Sequence, residues 1–330
     1  MKIRAQVLRL REFGIFLVFI GLVILFSFLS PHFLKVTNIF NITKQIATLA
    51  IVSVGFTFVL ITGGIDLSVG YQISLVNVVC AYLMVKSGLH PAIAVLIVIV
   101  MGTLIGFING LIIIKTGVAP LIVTLAVMSM LNGLSFMISK GIPIFGYPKS
   151  FSIIGQGSIG VVPISLIIML VIIFIGTFIL IKTYFGRYFY AIGSNVEAAK
   201  LSGVDVGRIK ILVYTLCGFF TAIAGVIMLS RINSGLSITG GGFEFSVLTA
   251  CVLGGVSING GKGTMMGAFI GVLIIGVLNN GLILLNIGEY AQLVLRGFVL
   301  LLAVVYDTMS RDRSERVKRI KAIDISKELP

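Results

Sequence analysis

Charge is what this chain has least of. Charged residues make up 11% of its 330 residues, 25 Lys and Arg against 11 Asp and Glu. Soluble domains carry about 25%, so an ordinary soluble domain is excluded. Tryptophan is absent, which leaves 23 Phe and 9 Tyr as the only large aromatic surfaces. The three cysteines, Cys80, Cys217 and Cys251, lie in apolar runs without CxxC spacing or companion histidines. They read as small buried hydrophobes, and a disulfide framework is excluded. His32 and His90 stand near the ends of different apolar runs with no ligand at helical spacing, so neither points to a metal site. No serine nucleophile motif accompanies them. Asp66 is the only aspartate between Gly14 and Tyr190, which removes paired intramembrane aspartates.

A nucleotide-binding loop is missing too. The nearest candidate, Asn259-Gly260-Gly261-Lys262-Gly263-Thr264, has Val256 in place of the first glycine and Gly263 in place of the hydroxyl residue. It reads as a glycine turn at the membrane face. No cofactor is expected, and if ATP drives this protein another chain must bind it.

Apolar length fills the space these absences leave. The chain is 58% hydrophobic, with a mean hydropathy of +1.16. Many apolar runs reach the roughly 20 residues that cross a hydrocarbon core as a helix. The pattern predicts an all-α polytopic membrane protein with about ten spans, at 14–30, 46–63, 67–86, 91–114, 118–138, 163–181, 211–230, 244–258, 264–285 and 291–306. Residues 14–306 then form one membrane domain, between a basic segment 1–13 and a basic tail 307–330. The first apolar run lacks a small-residue cleavage site and is expected to stay as a span. The eighth is short and glycine-rich, as a broken or re-entrant helix would be.

Lysine and arginine orient the bundle. With the N-terminus in the cytoplasm, eighteen fall on inner segments, among them Lys115, Lys182, Arg187, Lys200, Arg208, Lys210, Lys262 and the tail, and six on outer ones, Lys35, Lys44, Lys86, Lys140, Lys149 and Arg231. This is the direction of the positive-inside rule and places both termini in the cytoplasm. Anionic lipid headgroups suffice as partner for the +14 net charge, and nucleic acid is not required.

The longest polar island is 184–210, YFGRYFYAIGSNVEAAKLSGVDVGRIK. Ser194 and Glu197 have capping-box spacing. Ala198 and Ala199 favour helix, and Gly203 is placed as a C-terminal stop. A helix of about two turns is too short to stand alone, so it points to a docking partner.

Other candidates are sparser. Gly63, Gly64, Asp66 and Ser68 join the second and third spans almost without a loop, as a capped tight junction or a gate. Arg296 falls inside the tenth span, where charge is costly; an ion pair with Glu244 or Glu289 is its expected structural role, with the solute path as the alternative. Asn109, Asn279 and Asn280 can bond solute hydroxyls or tie helices together.

In order along the chain, ITGGIDLSVG at 61–70, FGRYFYAIGSNVEAAKLSGVDVGRIKI at 185–211, VLGGVSINGGKGT at 252–264 and NNGL at 279–282 resemble the membrane permeases of ribose-type ABC importers. The resemblance runs from about residue 30 to 306. It implies a ten-helix permease of a bacterial inner membrane, importing a monosaccharide or related small polyol. Its partners would be a tandem ATP-binding protein, an external substrate-binding protein and a second permease copy or paralogue. The family's loop motif Glu-Ala-Ala-x3-Gly maps onto Glu197, Ala198, Ala199 and Gly203. The Leu-Pro that follows a similar motif in other importers is absent here, since Ile209 to Leu216 contains no proline. From the residues alone, an ion-coupled secondary sugar transporter and an intramembrane enzyme or scaffold stand as alternatives. The first would need acidic groups or broken-helix carbonyls at mid-membrane. The second would need a catalytic constellation.

Overall fold

The computed structural model describes the backbone of residues 2–328, and side-chain surroundings from Phe13 to Met309, Tyr306 excepted. The basic side chains expected at the two ends, Lys2 to Arg11 and Arg311 to Lys327, lie outside the described ones. The elements are α1 (Lys2–Leu29), α2 (Val36–Ile61), α3 (Val69–Val85), α4 (Pro91–Thr116), α5 (Pro120–Ser139), α6 (Lys149–Gln156), β1 (Ser158–Ile159), β2 (Val162–Pro163), α7 (Ile164–Lys182), α8 (Tyr184–Ser194), α9 (Val196–Leu201), α10 (Val206–Ile232), α11 (Phe243–Leu253), α12 (Met265–Leu284) and α13 (Glu289–Glu328). The two strands pair antiparallel, Ser158 opposite Pro163.

Among the described residues, seven helices are long and apolar enough to cross a membrane: α2, α4, α5, α7, α10, α12 and the Glu289–Met309 part of α13. Three more apolar helices are shorter: Phe13–Leu29 of α1, α3 and α11. The expected spans need adjusting at several ends. The second begins at Val36 and not at residue 46, because Asn38, Thr43, Lys44 and Gln45 are carried inside the helix. The eighth stops at Leu253, before Gly254-Gly255. The tail continues α13, and α6 and α8 are additional helices.

α2 is the central helix. Its apolar window is 89% buried, against 22% for α4 and for α5. A helix apolar on every side belongs in the interior, and Phe56 and Phe58 are fully enclosed there.

α4 and α10 make the most extensive helix crossing. Gly102, Gly106 and Gly110 form a stripe one residue in four along α4, and Tyr214, Gly218 and Ala222 form its counterpart on α10. A side chain on Gly106 would collide with the Tyr214 carbonyl, and one on Gly218 with the Gly102 carbonyl. Small residues let membrane helices pack backbone to backbone, since lipid supplies no hydrophobic drive between them.

Two elements do not cross as continuous helices. α11 has 11 residues, about 16 Å, against a core of about 30 Å. α3 has 17 residues and starts deep. Its fourth residue, Gln72, donates through Nε2 to the Gly102 carbonyl at 3.1 Å and the Gly218 carbonyl at 2.8 Å. Gly102 is the twelfth of 26 residues in α4 and Gly218 the thirteenth of 27 in α10. α3 therefore begins near the middle of the bundle, reached by the irregular segment 62–68.

The crossing gives a direct test. Gly106→Ala and Gly218→Ala are each expected to destabilise the protein by about 1–3 kcal/mol through overpacking. Gly133→Ala on α5 meets open space and should be neutral or stabilising by up to ~1 kcal/mol. Thermal unfolding in detergent reads the difference, and equal effects at the three sites would contradict the packing argument.

Candidate functional site

One end of the bundle carries a polar unit built from α8, α9 and the start of α10. α8 is amphipathic: Phe189 and Ile192 are buried, and the Phe189 ring meets Phe58 at 5.4 Å between centroids. The Tyr190 hydroxyl donates to the Gly263 carbonyl at 2.7 Å. Burial pushes this phenol up to about 12, so it remains a donor at neutral pH. α8 thus lies along the bundle end, tied to the glycine turn at 257–263. The same turn reaches α2, where the Gly261 N–H donates to the Ile61 carbonyl at 2.8 Å.

Asn195, in an extended conformation, starts α9, and its Oδ1 accepts from the Ala198 N–H at 3.0 Å. This corrects the expected capping box. Ser194 is the last residue of α8 and would crowd a side chain on Gly261; the cap lies one residue later. Glu197 pairs instead with Lys200 at 2.9 Å on the exposed face, a contact of about 0–1 kcal/mol. Ala199 is buried. Gly203 closes the helix at φ +81° with open space around it, a backbone region an L side chain enters at a cost of about 1–2 kcal/mol. Asp205 then caps α10 by accepting from the Arg208 N–H at 3.0 Å.

One residue of this unit escaped sequence reasoning. Leu201, at the end of α9, is 91% exposed. No periodicity could reveal it, because a single leucine among polar residues reads as a buried anchor. The helix turns it outward.

The second candidate group sits inside the bundle. Ser68 donates from its N–H (3.0 Å) and its hydroxyl (2.5 Å) to Asp66 Oδ1, and Asn109 Nδ2 donates to Ser68 Oγ at 2.9 Å. Thr124 Oγ1 accepts from the Leu67 N–H at 3.2 Å. Asp66, Ser68, Asn109 and Thr124 are all fully enclosed. The sequence singled out three of these four without joining them, since Asn109 is 41 residues from Ser68. Gly63 and Gly64 lie at the near end of this segment, Gly63 at φ +77° and exposed, Gly64 beneath the Tyr214 hydroxyl.

The remaining candidates lie elsewhere. Asn280 and Asn38 exchange two amide hydrogen bonds of 2.9 Å, tying α12 to α2. Arg296 forms an ion pair with neither of the expected partners, Glu244 or Glu289. It donates to Asn279 Oδ1 at 3.1 Å and reaches Gln292 Oε1 at 3.5 Å. Glu244, 2% exposed, lies instead at the start of α11 against Gly70.

Between α10 and α11 the chain descends without regular structure along α3. The Leu236 N–H donates to Asn77 Oδ1 at 2.9 Å, and the Gly240 N–H to Ser74 Oγ at 2.9 Å. A side chain on Gly240 would collide with the Gly70 carbonyl. The starts of α3 and α11 therefore meet at the depth of Gln72. Ser74 and Asn77 supply partners that an irregular backbone would otherwise lack in lipid.

If Asn195 is the cap, Asn195→Ala should loosen α9 by about 1 kcal/mol. Hydrogen exchange of the amides in 196–203 should then speed up roughly fivefold. Ser194→Ala should leave it unchanged; the opposite ranking would restore the Ser194 capping box.

Comparison with known proteins shows the family of the chain. The family described as "Branched-chain amino acid transport system / permease component" matches residues 38–304. The ribose import permease protein RbsC of Bacillus subtilis (strain 168) is 42% identical over 300 residues, covering 90% of this chain and 93% of the relative. RbsC of Escherichia coli (strain K12) is 39% identical, covering 87% and 90%. The galactose/methyl galactoside import permease protein MglC of the same strain is 35% identical, covering 93% and 96%. No solved structure matches the chain.

Proposed function

We propose, from the premise that this chain belongs to the membrane permeases of ribose-type ABC importers, that α9 is the element through which a partner ATPase drives sugar across the inner membrane. The chain is a multi-pass transporter subunit and not an enzyme, and it works with an ATP-hydrolysing subunit and a substrate-binding protein. The observation that carries the role of α9 is Leu201. A leucine 91% exposed on a polar bundle end is an apolar anchor without a socket in its own chain. A six-residue helix is too short to persist without support. Asn195, Gly203 and Asp205 hold it at both ends, so a push on Leu201 is passed through α8 and α10 into the bundle.

Ten passes fit this reading, one through the shorter apolar part of α1 and two in which α3 and α11 are completed by the irregular segments that lead into them. Both termini and α9 then face the cytoplasm, and α6 faces outward. The cargo is a monosaccharide, ribose or a close relative. Two copies, or this chain and a paralogue, enclose one path that opens alternately to each side. The ATPase shifts that equilibrium by binding one state more tightly than the other. The junction Gly63 to Ser68, tied to Asn109, is the hinge at the cytoplasmic end of the path. An ion-coupled carrier is not favoured.

Two experiments bear on this. Leu201→Asp and Gly203→Asp should leave the permease inserted and folded while cutting sugar uptake and ATPase co-purification at least tenfold. Full co-purification with both variants would remove α9 from the coupling role. In intact cells, a cysteine at Lys200 should be shielded from a membrane-impermeant thiol reagent and one at Lys149 labelled; the reverse pattern would invert the orientation.

A further inference from the structure

The crossing of the two irregular segments exposes something lipid does not tolerate. Around Gly240 the chain is non-helical, and it lies at the depth of Gln72, whose partners are the midpoints of α4 and α10. Backbone without regular hydrogen bonding persists at such depth only where protein covers it or water reaches it. Gly240 is covered by Gly70. Its neighbours are not: Gly241 is exposed, Ile238 is 66% exposed, and Phe245 in the first turn of α11 is 48% exposed. A side chain at Gly241 would stand 3.4 Å from the Tyr71 hydroxyl, so Tyr71 borders the same patch.

A second observation comes from behind the patch. One carboxylate oxygen of Glu244 and the side-chain oxygen of Gln72 are buried without any hydrogen-bond partner. Buried polar atoms of this kind are normally satisfied by water. Both lie at the crossing, where water could arrive only from an aqueous space at mid-membrane.

We infer that the patch formed by Tyr71, Ile238, Gly241 and Phe245 lines the water-filled transport path, and that Tyr71 and Phe245 form the aromatic surface against which a neutral polyhydroxylated solute passes. This rests on the reading of the chain as a sugar permease and gives that reading its contact residues. Solute sites combine apolar and aromatic walls with a few placed polar groups. Two aromatic rings beside exposed peptide groups meet that description, with the Glu244 carboxyl buried behind them.

The test uses the assembled transporter with its ATPase in proteoliposomes. The native Cys80, Cys217 and Cys251 are buried and set a low background. Phe245→Cys and Ile238→Cys should react with a charged methanethiosulfonate reagent at least tenfold faster than Phe174→Cys, a residue 71% exposed on the continuous helix α7. D-ribose during turnover should slow that reaction, and Phe245→Ala should raise the half-saturating sugar concentration at least fivefold while Phe245→Tyr restores it. Labelling no faster than at Phe174 would overturn the inference, whether lipid or a second copy covers the patch. Fast labelling with no sugar protection and wild-type uptake by Phe245→Ala would overturn the solute contact. The labelling arm needs no sugar, so a wrong cargo would show separately, as wild-type protein that imports no D-ribose under ATP.

Discussion

The backbone contact between α4 and α10 governs the rest of the bundle. Lipid offers these helices no reason to associate, so their approach depends on removing side chains, and Gly102, Gly106, Gly110 and Gly218 remove them. The contact leaves the Gly102 and Gly218 carbonyls within reach of one amide, and Gln72 takes both. That double bond fixes the depth at which α3 starts. The depth of α3 in turn fixes where the descending segment 233–242 can find Ser74 and Asn77. The crossing at Gly70 and Gly240 is thus set by a choice of glycines some thirty residues away in α4.

Hydropathy made most of the long helices legible. α4, α5, α7, α10 and α12 are apolar through their middles, with charge confined to their ends, and their sequences announce them. What it could not see were the places where polar residues are buried for a structural purpose. α2 begins ten residues before its apolar run because Asn38 is matched by Asn280 and the Lys44 ammonium reaches the Gln156 carbonyl. α11 is shorter than its apolar run because Gly254-Gly255 ends it. Asp66, Ser68 and Asn109 were each visible as odd residues, yet their union is a tertiary fact. The cap of α9 was misplaced by one residue because Ser194 and Asn195 are both good caps, and only the extended backbone of Asn195 decides between them.

The two ends of the functional chain are built differently. The polar unit is small, solvated and held by single hydrogen bonds worth about 1 kcal/mol each, which suits an element that must engage and release a partner. The mid-membrane crossing is glycine against glycine, with almost no slack. On the proposal that α9 takes the push of a partner, that push is expressed where the structure is stiff, and stiff parts move as bodies.

The paired amides of Asn38 and Asn280 also set a clock. They join residues 242 positions apart, and at about 5–20 residues per second a ribosome needs roughly 12–50 s to make that stretch. For that interval the leading end of α2 sits in the bilayer with the Asn38 amide held only by its local bond to the Phe33 carbonyl, 2.9 Å. The newborn chain must hold that debt until α12 arrives, so the last quarter of synthesis, not the first, decides when the bundle is sealed.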